Sequence, residues 1–295
     1  MRALVAAIAW PYLLLSSCAI LAFGFARGEP TLFFNISYVW IIVWLLLLER
    51  LMPYRPLWRQ GDGQLGADVG HTVLNKGLVQ ILLIQFMTLG LIPEDLAGPL
   101  AELPLWGQVG IGLIISEFGL YWAHRIAHQW PLLWRFHAVH HSVKKLWLVN
   151  TGRFHFVDSL ASVSAGAVIM LLCGLSIDAI VWISAITAYI GVLTHCNVDM
   201  NCNVMNWVFN TPNLHRWHHS SIVGESNTNY GENLMLWDQL FGTYLYKPSE
   251  NVGNLGISDA IPNKLWGQLM APFMWRRYQA QPSLLGKEIE DLAAP

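Results

Sequence analysis

The sequence is short of charge. Asp, Glu, Lys and Arg together make up 12% of its 295 residues, about half the ~25% share usual in soluble globular domains. A formal net charge of -2 and the absence of any basic run leave no electrostatic field for nucleic acid. Cysteine is scarce too. Cys18, Cys173, Cys196 and Cys202 form no CxxC pair, which argues against a disulfide framework, an iron-sulfur site and a zinc-thiolate site. No HExxH occurs, and no internal repeat or low-complexity tract is present.

What fills the chain instead is apolar. Residues of the AVILMFWYC set account for 54%, the composition of a membrane protein. A hydrocarbon core of ~30 Å needs roughly 20 apolar residues of helix, and residues 3–25, 33–52, 71–92 and 105–123 meet that. Residues 159–175 and 178–195 read as a shorter helical hairpin, with Gly174 as a helix stop and Ser176 as an N-cap. The first run continues past Cys18 to Phe25, favouring a spanning helix over a signal peptide with a lipidated cysteine. The expected fold is all-α, a polytopic membrane protein of four long spans and a hairpin under a cytosolic, histidine-rich helical cap. Residues 1–104 would hold the N-terminal spans, 105–247 the catalytic region and 248–295 a cytosolic tail.

Charge placement orients the chain, because Lys and Arg collect in short cytoplasmic loops. Arg50, Arg55 and Arg59 follow the second span, whereas residues 93–104 carry Glu94, Asp95 and Glu102 and no basic residue. Both termini are thus predicted cytoplasmic. Residues 124–158 and everything after His195 then share one membrane face.

Ten of the eleven histidines lie from His124 onward. His124 and His128 are four apart, which on a helix puts both imidazoles on one side, one turn apart. His137, His140 and His141 form an HxxHH, and His215, His218 and His219 repeat it. On a helix i and i+3 share a face and the extra histidine points about 100° away, so a repeated HxxHH suits two metal ions better than one. His195 offers a ninth ligand. A thiolate-free imidazole site suits Zn, Fe, Cu or Ni, and nine ligands exceed a structural zinc's four. A pair of ions with open positions is what oxygen activation requires.

Neighbouring residues are candidates for ligands or their supports. His155 reads equally as ligand or support, and Asp199, four residues after His195, as a carboxylate ligand, a support or a turn residue. Glu117, two turns before His124 inside an apolar helix, is expected to orient a ligand imidazole, since an ionisable group there is costly and usually functional. Asn150, Arg153 and Asp158 are weaker candidates, and lone His71 reads as a packing residue. Trp122, Trp130, Trp134, Trp147, Trp207 and Trp217 read mostly as an interfacial aromatic belt.

These motifs resemble those of the fatty acid hydroxylase and sterol desaturase superfamily. The resemblance is carried by Tyr121-Trp122-Ala123-His124-Arg125, by Phe136 to Ser142, by Thr211 to Ser220, and by Asn229-Tyr230-Gly231 leading to Trp237-Asp238 and Phe241-Gly242-Thr243-Tyr244. Glu117, where relatives commonly have Asp, and Phe156, where proline is common, depart from the pattern. The resemblance implies a membrane enzyme with two non-haem iron ions, dioxygen as co-substrate, a lipid substrate and electrons from a separate reductase. Hydroxylation is favoured over desaturation, though no motif separates them. A haem-carrying or metal-transporting membrane protein would place paired histidines in mid-membrane, and a zinc hydrolase would want a carboxylate base beside its ligands.

Overall fold

Helices form where the apolar runs predict them. The computed structural model describes residues 1–88 and 98–279. Its main elements are α1 Arg2–Ala26, α2 Pro30–Leu51, α3 Leu65–Thr88, α4 Leu105–Gln129, α5 Pro131–His141, α6 Phe156–Leu172, α7 Ile177–His195 and α8 Pro212–His218. Among the described residues the named elements are all helical, and three single antiparallel bridges pair residues of the connecting segments.

Three helices, α1, α2 and α7, are long and apolar enough to cross a membrane, and α6 is a shorter apolar helix of 17 residues. The second arm of the expected hairpin is thus itself of spanning length. The expected fourth span lies in α4, which is long enough but less apolar, because Gln108, Ser116 and Glu117 occupy its buried face. The expected third span starts inside α3, while residues 89–92, Glu94, Asp95 and the tail from residue 280 lie outside the described residues.

The larger of two hydrophobic clusters among the described residues holds the bundle. Trp10, Leu13 and Leu21 of α1 and Ile41 and Leu45 of α2 pack with Ile183, Tyr189, Ile190 and Leu193 of α7. A Cβ at Gly119 of α4 would stand 2.5 Å from the Ala165 carbonyl oxygen of α6. Only glycine admits that approach, the small-residue packing common between membrane helices. The hairpin closes as expected: Gly174 has φ 68, and the Ser176 hydroxyl accepts from Ala179 N at 3.3 Å. α4 and α7 therefore end at fixed points, α4 delivering His124 and His128 and α7 delivering His195.

Candidate metal centre

Four helices bring nine histidines into two abutting groups. The ligand nitrogens of His124, His128, His137, His141 and His218 lie within 4.8 Å of one another, as do those of His140, His195, His215 and His219. The His141 and His219 rings stack at 4.5 Å between centroids, joining the groups. The partition corrects the expected pairing within HxxHH. His137 joins His141 rather than His140, and His215 joins His219 rather than His218. At about 100° per residue, i+4 returns to within about 40° of i while i+3 falls about 60° short, so the i+3 imidazole crosses to the other group.

The imidazoles are held from behind. His124 Nδ1 donates to the Tyr230 carbonyl at 2.7 Å, His140 Nδ1 to that of Arg153 at 3.1 Å and His218 Nδ1 to that of Thr228 at 2.8 Å. His137 Nδ1 lies 2.9 Å from the Asp158 carboxylate, and His128 and His195 face the Asn227 and Asn150 side-chain oxygens. A carbonyl carries no proton, so Nδ1 must be the donor and the neutral ring presents a bare Nε2. Yet His124 Nε2 and His137 Nε2 stand 3.1 Å apart, and buried His218 Nε2 has no partner. Facing lone pairs repel unless a cation sits among them. The donor set therefore fits bound metal ions.

Burial first, then the neighbouring imidazoles, pushes His140, His141, His215 and His219 well below the ordinary 6.5, and His218 likewise. The unfolded chain takes up protons below about pH 6.5 that the folded cluster refuses, so stability present above that pH drains away as pH falls. Chelator-treated protein is expected to melt at progressively lower temperature from about pH 7 to about pH 5. A flat melting temperature would show that these histidines are not buried neutral.

The other predicted residues separate. Glu117 touches no histidine: its carboxylate accepts from Glu232 N at 2.5 Å, Asn233 N at 3.1 Å and Asn233 Nδ2 at 2.7 Å. It anchors the loop whose Tyr230 carbonyl holds His124, so it acts one step further out than expected. Asp238 secures the same loop, accepting from Tyr230 N and Gly231 N at 2.8 and 2.7 Å. His155 lies outside both groups; its Nδ1 caps α6 by accepting from Val157 N, and its Nε2 donates to the Leu269 carbonyl. Asp199 pairs with Arg2 at 3.3 Å on the surface. His71 is a buried packing residue bonded to Gln268. Asp158 and Asn150, weak candidates by sequence, touch His137 and His195. The Thr228 carbonyl was not legible at all, since a backbone acceptor leaves no residue-type signal, and Asn227 lies 99 residues from His128, beyond any local spacing. Trp130 and Trp207 are exposed as a belt requires, whereas Trp217 is buried and Trp134 packs beside His128 and His141.

Membrane-length helices and a buried double set of imidazoles define a class, helical membrane proteins with a histidine-built centre able to hold metal. Residues 109–243 match the family model described as fatty acid hydroxylase. The ornithine lipid hydroxylase OlsE of Rhizobium tropici is 41% identical over 98% of this chain and 89% of its own length. The chain belongs to the fatty acid hydroxylase family. Alkylglycerol monooxygenase of Xenopus tropicalis is 28% identical over 50% of this chain and 33% of its own length. A probable Delta(7)-sterol 5(6)-desaturase of Neurospora crassa is 28% identical over 46% and 38%. No solved structure matches.

Proposed function

We propose that the chain is a membrane di-iron oxygenase that hydroxylates a C–H bond of an amino-acid-bearing lipid at the cytoplasmic face. The observation that carries it is the double donor set, five imidazoles beside four, with bare Nε2 atoms facing inward. Five donors exceed tetrahedral zinc. The lipid class follows the near full-length similarity to an ornithine lipid hydroxylase, and the cytoplasmic placement follows Arg50, Arg55 and Arg59 at the end of α2.

Bound iron would supply the redox chemistry: with dioxygen, two electrons from a separate reductase and two protons from solvent, one oxygen atom enters the C–H bond and the other leaves as water. The chain's own residues hold and shield that chemistry. Asp158 and the Tyr230, Arg153 and Thr228 carbonyls keep the Nε2 atoms aimed inward, as outer partners of ligand histidines do. Phe154 lies flat on His140 at 3.9 Å and Trp134 packs beside His141, excluding water from the donors.

Metal analysis of purified protein is expected to find about two irons per chain, and lipid extracts from producing cells should show a species heavier by one oxygen. One zinc per chain would sink the proposal, and a species lighter by two hydrogens would replace hydroxylation with desaturation.

A further inference from the structure

A polar pocket of about 160 Å³ lies beside α8, lined by Asn213 and Arg216 of that helix together with Tyr54, Asp199, Lys247 and Glu250, and by no histidine. Its position is set by the membrane-length helices. Arg2 at the start of α1 pairs with Asp199, Asn201 N donates to the Ala6 carbonyl, and Tyr54 N, just past α2, donates to the Asn197 carbonyl just past α7. The pocket thus sits where three such helices end together. That is the level of lipid headgroups.

Its polar groups are incompletely satisfied. Arg216 is 3% exposed; its guanidinium stacks 3.8 Å over the Tyr54 ring and donates to the Cys196 and Val198 carbonyls. It forms no ion pair among the described residues, and its Nε has no partner. Asp199 and buried Glu49 act on it through space without forming an ion pair, so the guanidinium is only partly compensated and can take an anionic group. Asn213 Oδ1, one turn earlier on α8, is a buried acceptor with no donor. Asp199 and Glu250 bring two carboxylates to the same pocket, paired with the partly exposed cations Arg2 at 3.3 Å and Lys247 at 3.6 Å. Lys247 also holds Glu225 at 2.8 Å, so Glu250 can turn to a ligand without stranding it.

We propose that this pocket binds a zwitterionic lipid headgroup, its carboxylate against Arg216 and its ammonium against Asn213 Oδ1, Asp199 and Glu250. The proposal rests on the lipid hydroxylase reading and names the part of the lipid that the chain grips. The volume admits a headgroup and leaves the acyl chains to the membrane.

The test is native mass spectrometry of the full chain in detergent micelles, titrated with N-acylated ornithine, its methyl ester, its N-acetylated form and free ornithine. The zwitterionic lipid is expected to bind about tenfold tighter than either blocked lipid. Asp199→Asn with Glu250→Gln should remove the advantage over the N-acetylated form while leaving that form's own affinity unchanged. Arg216→Lys should weaken both carboxylate-bearing lipids; should it fail to fold, the variants of exposed Asp199 and Glu250 still decide. Equal affinity for all the lipids, or wild-type discrimination by the double variant, would overturn the pocket, and equally tight free ornithine would assign it to a soluble amino acid instead. No discrimination by the wild type, with oxygen addition intact, refutes the pocket alone. Discrimination without oxygen addition refutes the hydroxylase reading alone.

Discussion

On the proposed function, a His219→Ala chain is expected to lose more than ~100-fold of its hydroxylation rate and most of the metal in the four-histidine group. His219 Nε2 stands 3.1 Å from both His140 Nε2 and His215 Nε2, so it is central to its group rather than peripheral. Its ring also stacks on His141 of the other group, so both metals should be disturbed, the nearer more. Iron content and product formation, measured on protein that still elutes as a single species, check this. Full retention of iron and activity would remove His219 from the ligand set, and with it the two-group reading.

The second large effect concerns folding. Arg153 and Asp68 form an ion pair at 3.1 Å with both side chains at most 2% exposed, and Arg153 also donates to Ser142 Oγ at 3.0 Å. The pair ties the loop before α6 to α3, and the Arg153 carbonyl in that loop accepts from His140. Arg153→Met leaves the Asp68 carboxylate buried and uncompensated, at a cost of about 3–5 kcal/mol. Exchanging both partners, Arg153→Met with Asp68→Leu, should recover most of that loss, because no charge is then stranded. Denaturant unfolding in detergent measures both. A single variant as stable as the parent would show that the pair contributes nothing to the fold.

Much of this centre was legible as local pattern. The i, i+4 spacing of His124 and His128 and the two HxxHH runs announce convergent imidazoles, because helical periodicity is a short-range property. His195 was placed by its position at the end of an apolar run. Glu117 was singled out correctly as a costly buried carboxylate, but its partners are 115 and 116 residues away, beyond any periodicity argument. His155 was ambiguous because capping a helix and ligating a metal ask for the same residue. Asp199 carried the right chemistry in the wrong place.

The sequence by itself determined the helical class, the membrane-length runs, the nine histidines and the fatty acid hydroxylase resemblance, all of which depend on composition and spacings of a few residues. Tertiary structure alone decided which histidines share a group, which carbonyls fix their tautomers, and that Arg216 lines a polar pocket with no ion pair of its own among the described residues. Those outcomes depend on segments such as His140 and His219, 79 residues apart, being brought together by the packing of α4, α5, α7 and α8. Spacing along the chain sets the face on which a side chain lies, and packing between helices sets what that face meets.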